Sequence, residues 1–371
     1  MPTKINHQFK LVTLIPKKFF LGKYKTIKAV LAGLAALLTV LSPQVYAGKA
    51  DELRILASAR ITPASVVERF EKKYGIRVRF EYFSTHAALA SYLETQPKGD
   101  LILLRGYYIE SLIEKSQVLQ LNHELLPNLR HLSQRAMSAS ADPGRIYSVP
   151  YIIGTMGIVY HSGFLGDKQP NWEYVFRYFA GTTPFAVTDQ YRDAIGSALM
   201  SLNQPYNSDS PAAIGQAADV LRAVAEHPAF IGFLSAENML QFLTEGFVYV
   251  AVTHNDLAAR AIQGNPNLAY AASEDNGVAW SYVYVLNCRC GNQSAAYKWL
   301  NFLLEPEVAA EISVWNQATS PNQAALALLP PEIRDNRVLY PPDAVWDNAQ
   351  TPSYVGLNAE RLYTDYWSRI K

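Results

Sequence analysis

The stretch ELRILASARITPASVVERFEKKYGIRVRFEYF, residues 52–83, decides the fold. It opens on an apolar run, ELRILA, of the kind that makes a buried strand. Thr62 is placed to cap the helix that follows, and Pro63 suits its first turn. Val66, Val67 and Phe70 set an apolar face along that helix, and Gly75 ends it. IRVRFEYF at 76–83 then alternates apolar and polar residues as a half-buried strand does. Strand, helix and strand in so short a span predict parallel strands joined by a crossover helix. The loop between the first strand and the helix carries one long charged side chain, Arg60. In open α/β sheets ligands bind at such places, beyond the carboxyl ends of strands and next to helix starts.

The pattern continues outward. HAALASYLE (86–94) predicts a helix, DLILLR (100–105) a third strand and YYIESLIEKSQVL (107–119) a third helix. YSVPYIIGTMGIVYH (147–161) is a long β-rich run with a Pro and two Gly, suited to crossing between two lobes. A second α/β set starts at WEYVFRYF (172–179). TPFAVTD (183–189) and FVYVAVTH (247–254) are its strands. YRDAIGSALMSL (191–202), 211–227, 236–245 and NDLAARAIQG (255–264) are its helices. WSYVYVLN (280–287) is a return strand, 294–315 is helical with an interruption at Pro306, and a last helix covers 358–370. Two crossings predict two hinge strands and an interlobe cleft able to close on a ligand. The expected division is 48–157 plus about 283–325 for lobe 1, and 158–282 plus about 326–371 for lobe 2.

Residues 1–28 hold seven Lys and no acid, residues 29–41 are a 13-residue apolar core, and VYA ends at Ala47. That is the make-up of a cleaved secretory signal peptide, 1–47. Thirteen apolar residues are too few to span a bilayer comfortably. Removing the segment leaves 26 basic and 32 acidic residues. A mildly acidic exported chain is a poor candidate for nucleic-acid binding, so none is expected. Cys288 and Cys290, in NCRCG, are open to two readings: a strained local disulfide or two free thiols. The nucleophile elbow, the phosphate-binding loop and the paired-histidine zinc helix are all absent, and the seven His show no metal spacing. Neither catalysis nor a cofactor or metal is expected.

The order of FEKKYGIRVRFEYF, DLILLRGYYIESL, YSVPYIIGTMGIVYH, AAYKWLNFLLEPEVA, SPNQAALALLPPEI and RVLYPP resembles the family 1 extracellular solute-binding proteins. It is most similar to the periplasmic spermidine/putrescine-binding group of ABC importers. The resemblance implies a two-lobed type II periplasmic binding fold and a small organic solute, handed to a membrane permease. It also points to candidate ligand residues. The polyamine binders' loop after the first strand resembles N-W-T-E-Y; here it reads Ala57, Ser58, Ala59, Arg60, Ile61. Ser58 thus stands for the aromatic and Arg60 for the carboxylate. The loop after the third strand resembles S-T-Y-Y, and here Arg105 replaces a small polar residue while Tyr107 is kept. Two acids three apart fall on Gln190 and Asp193. A strand-ending Trp becomes Thr253, and W-x-D becomes Trp280, Ser281, Tyr282. A further Tyr aligns near Ala318.

A polyamine needs carboxylates for its ammonium groups and aromatic faces along its methylenes. Three acids lost and two arginines gained argue against one, unless other acids compensate. The expectation is a carboxylate-bearing or zwitterionic ligand, with Arg60 and Arg105 as a fork and Asp193 at the amine end. Simpler roles stand beside these: Arg60 paired with a surface acid, Arg105 pinning the hinge, Asp193 as a helix-start acid favoured by the dipole. Gln190 as a solvated residue, Thr253 as a strand end, Tyr282 as strand packing, and Tyr107 and Trp280 as core aromatics complete that set. The function expected is that of a monomeric periplasmic binding protein serving an ABC permease, or alternatively one reporting to a membrane sensor receptor.

Overall fold

The computed structural model describes residues 51–371 apart from 84, 96–97, 139–140, 166–168 and 274–275. The leader expected at 1–47 lies outside the described residues. In chain order the strands are β1 (Glu52–Ala57), β2 (Arg77–Tyr82), β3 (Leu101–Arg105), β4 (Val118–Leu119), β5 (Ser148–His161), β6 (Phe185–Thr188), β7 (Phe230–Leu234), β8 (Val250–His254), β9 (Leu268–Ala271) and β10 (Val278–Asn287). The helices of nine or more residues are α1 (Ala64–Tyr74), α2 (His86–Glu94), α3 (Tyr191–Ser201), α4 (Pro211–Glu226), α5 (Ala236–Thr244), α6 (Asn255–Gly264), α7 (Gln293–Leu303), α8 (Pro306–Asn316) and α9 (Leu357–Ile370).

The opening motif forms as its sequence predicts. β1 pairs in parallel with β2 and with β3, and Gly75 closes α1 with φ +67. α1 buries Val66 and Phe70, and the Phe70 ring meets Trp299 of α7 edge-on at 4.8 Å. Thr62 does not cap α1. Pro63 is the N-cap residue, and the Thr62 hydroxyl instead lies 3.2 Å from the Tyr284 hydroxyl. The third helix is shorter than its sequence suggests. It ends at Glu114, because Val118 is drawn into β4 opposite Asn287 of β10. Strands β7 and β9 carry too few apolar alternations to be read from sequence. They are held by pairing with β6 and β5.

The sheet order is β2-β1-β3-β10-β5-β8-β6-β7, with β4 beside β10 and β9 beside β5. β1, β2 and β3 are mutually parallel, and so are β6, β7 and β8. Between the triads run β10 and β5, antiparallel to each other. β10 is antiparallel to β3, and β5 to β8. The two triads therefore point in opposite directions. Register then fixes where their ends fall. Arg105, at the end of β3, sits opposite Tyr282, and Tyr282 opposite Ile152. His254, at the end of β8, sits opposite Met156, and Met156 opposite Val278. The carboxyl ends of both triads thus converge on the middle of β5 and β10. A ligand site made from both halves follows from this topology.

Candidate functional site

A cavity of about 690 Å³ opens at this convergence. Ser58, Arg60, Arg105, Gln190, Thr253, Trp280 and Tyr282 line it. A second cavity of about 210 Å³ adjoins it, lined by Tyr107 and Asp193 and sharing Arg105 and Gln190. All nine residues singled out from sequence therefore face one of two adjoining spaces. Ala318 does not; it is fully buried, and its neighbours Trp315 and Asn316 reach the larger cavity instead.

At the floor lies a buried polar cluster. Arg105 is 4% exposed and Asp193 2%. The Arg105 Nη2 donates to Asp193 Oδ2 at 3.0 Å. The Tyr206 hydroxyl donates to Asp193 Oδ1 at 2.9 Å. His254 Nε2 lies 2.8 Å from Asp193 Oδ2 and 3.1 Å from Arg105 Nη2. Both imidazole contacts use one nitrogen, which cannot donate and accept at once. The shorter contact to a carboxylate assigns the proton to Nε2, and the approach to Arg105 is then a packing contact. Burial by itself pushes the Asp193 carboxyl up, but the Arg105 guanidinium, His254 and the Tyr206 hydroxyl hold it well below the usual carboxylate range. The Asp193 charge likewise outweighs burial at Arg105 and raises its guanidinium pKa. Both groups are ionised.

Local sequence explains how the cluster is assembled. Asp193 lies in the first turn of α3, a helix buried from Arg192 through Ser201. Gly196, three residues on, has no side chain where a Cβ would come within 2.3 Å of the Tyr206 ring. The ring therefore lies on the helix and its hydroxyl reaches Asp193. On the opposite wall, the Arg105 guanidinium carbon is 5.2 Å from the Trp280 ring centre and 5.4 Å from that of Tyr282. The Trp280 indole donates to the Thr155 carbonyl at 3.0 Å. Gly154 permits this, because a Cβ there would meet Trp280 at 2.4 Å and Asn255 Oδ1 at 2.3 Å.

Sequence placed Arg105 with Arg60 at one end of the ligand and Asp193 at the other. The structure corrects that arrangement: Arg105 and Asp193 are partners, so the fork is not free and neither is the acid. Arg60 stands apart. It is exposed, and its guanidinium carbon lies 4.0 Å over the Tyr82 ring. Among the described residues no ion pair reaches it. Gln190 donates to Asp189 Oδ1 at 2.8 Å, and Thr253 is buried one residue before the end of β8.

Sequence reasoning missed His254, Tyr206, Glu237 and Asp256. His254 closes the predicted strand FVYVAVTH, and that position beyond a strand's carboxyl end was the available signal. Glu237 and Asp256 sit in the first turns of α5 and α6 and line the larger cavity. They are two further acids at the cavity, at positions the resemblance did not point to. One Asp256 oxygen, Oδ1, is buried without a hydrogen-bond partner, and the other is 3.8 Å from Arg260. Cys288 and Cys290 are free thiols, which decides between the two readings left open by sequence. Burial and the neighbouring Asp100 push the Cys290 thiol up to about 12, so it is inert as a nucleophile.

Residues 65–339 match the family model described as bacterial extracellular solute-binding protein. The chain is 25% identical over 329 residues to a spermidine/putrescine-binding periplasmic protein of Salmonella typhimurium, covering 88% of this chain and 93% of that one. It is 26% identical to a putrescine/agmatine-binding protein of Pseudomonas aeruginosa, covering 81% and 87%. Among solved structures, a putative spermidine/putrescine ABC transporter from Listeria monocytogenes superposes with a TM-score of 0.79 at 27% identity, covering 86% and 98%.

Proposed function

The chain belongs to the bacterial extracellular solute-binding proteins, and from that premise we propose that it captures a small zwitterion and delivers it to an ABC permease. It does so as a monomer, after export and removal of residues 1–47. Two lobes, 48–157 with about 283–325 and 158–282 with about 326–371, close over the solute. The ligand carries a carboxylate, met by Arg60, and an amine, met by Asp256 and Glu237.

One observation carries this reading. A single cavity is lined by Arg60, which has no counter-ion among the described residues, and by two acids, Asp256 and Glu237. A carboxylate at the cavity wall can accept a charge-assisted hydrogen bond from a bound ammonium. Arginine presents a fork that matches a carboxylate in two hydrogen bonds. Tyr82, Trp280 and Tyr282 supply apolar walls between the two charged ends. The acid that a simple diamine would use, Asp193, is already engaged by Arg105.

Thermal shift of the purified chain against two ligand sets tests the proposal: polyamines, and small carboxylates with zwitterionic amine conjugates. A ligand at 100 times its Kd adds about 2.7 kcal/mol of stability. Stabilisation is expected from the carboxylate-bearing set and lost in Arg60→Ala. Stabilisation by spermidine or putrescine alone overturns the zwitterion reading while leaving the family intact.

A further inference from the structure

We infer that Arg105 fills, from within the chain, a cation-binding subsite of its own cleft. The guanidinium rests against one carboxylate and two aromatic faces. Asp193 supplies the charge, with Nη2 to Oδ2 at 3.0 Å. Trp280 and Tyr282 supply the faces, their rings set at 84° to each other and 6.1 Å apart. A carboxylate and an aromatic corner are what proteins use to hold an ammonium or guanidinium from outside.

The acceptor is built to receive a cation. Asp193 Oδ1 takes the Tyr206 hydroxyl and Oδ2 faces His254, so the carboxylate is fixed in orientation before Arg105 is counted. Arg105 also stands where the two cavities meet, lining both. Its side chain therefore occupies space that would otherwise run from the larger cavity towards Asp193. From the larger cavity an incoming cation meets Arg105 and not Asp193, which lines only the smaller one. This makes Arg105 a specificity-determining residue that excludes a cationic end group from the cleft floor. The inference rests on the proposed function only for treating these cavities as the ligand cleft. It holds whichever solute the larger cavity takes.

Chemical rescue tests it. Methylguanidinium chloride and its uncharged isostere methylurea are titrated separately into the wild-type chain, Arg105→Ala and the double variant R105A/D193N, with thermal midpoint as readout. Methylguanidinium is expected to raise the midpoint of R105A by several degrees in a saturable way. Methylurea should not do so, and neither compound should stabilise the wild type or the double variant. If R105A does not survive purification, its refolding yield from urea with and without methylguanidinium gives the same answer, with rescue expected. An R105A protein indifferent to methylguanidinium, or rescued equally by methylurea, overturns the inference: the pair is then a structural ion pair only. Stabilisation of R105A/D193N by methylguanidinium overturns it as well, since Asp193 is then not the acceptor. Because the readout is on variants and with a probe unlike the solute, its failure is separable from a failure of the zwitterion reading.

Discussion

Two arginines close neighbouring strands of one sheet and do opposite things. Arg60 follows β1 and Arg105 ends β3, and these strands are hydrogen-bonded partners. Arg60 is exposed, stacks on Tyr82 and has no carboxylate partner among the described residues. Arg105 is buried and committed to Asp193. The difference is one of solvation. A charge in water needs no partner and gains little from one, whereas a buried charge must be paired or it is very costly. Solvation therefore lets the exposed cation stand without a carboxylate, while the buried one is committed internally.

The largest blow to this contrast is removal of one member of the buried pair. Arg105→Ala or Asp193→Ala should cost about 3–5 kcal/mol in urea unfolding, because each leaves an uncompensated buried charge. A double-mutant cycle should return strong coupling, with the double variant far less unstable than the sum of the singles. Additive losses would mean that the two charges do not sense each other.

Next in size is Gly154→Ala. Its Cβ would collide with Trp280 and Asn255, costing about 1–3 kcal/mol as overpacking does. Trp280 fluorescence should change along with stability, since the indole is the group displaced. An unchanged spectrum would show that β5 yields instead.

Acid should weaken the buried corner selectively. The Asp193 carboxyl is held below its unfolded range, so its contribution is complete above about pH 4 and fades as pH falls towards the folded value. Wild-type stability should drop more steeply below that pH than stability of R105A/D193N. Parallel curves would remove Asp193 from the acid response.

The smallest effect on stability belongs to Arg60→Ala. An exposed cation–π contact contributes about 0.5–1 kcal/mol. Binding of a carboxylate-bearing solute should nevertheless fall at least tenfold, about 1.4 kcal/mol. A large stability loss here would show that Arg60 is structural after all and erase the contrast with Arg105.

Much of the architecture was legible. The strand–helix–strand reading of 52–83, the long run 147–161 and the return strand near 280 all match observed elements. Lost were the short strands β7 and β9, which exist only because a neighbour pairs with them. The candidate site was legible as positions and not as partnerships. Nine residues were placed at the cleft from strand ends and resemblance, yet Arg105 and Asp193 were assigned to opposite ends of a ligand when they touch. Glu237 and Asp256 were invisible because an acid in a helix's first turn is ordinarily a dipole partner.

By itself the sequence determined the alternation of strands and helices, the apolar faces that bury them, and which loops lie at strand ends. These depend on neighbours a few residues apart, where periodicity and capping chemistry act. Only the tertiary structure decided that Arg105 meets Asp193 across 88 residues and that His254 joins them from the end of another strand. The registers of β3 on β10 and of β5 on β8 decide that meeting. A buried charge is then paired or left free according to which strand end the register sets beside it.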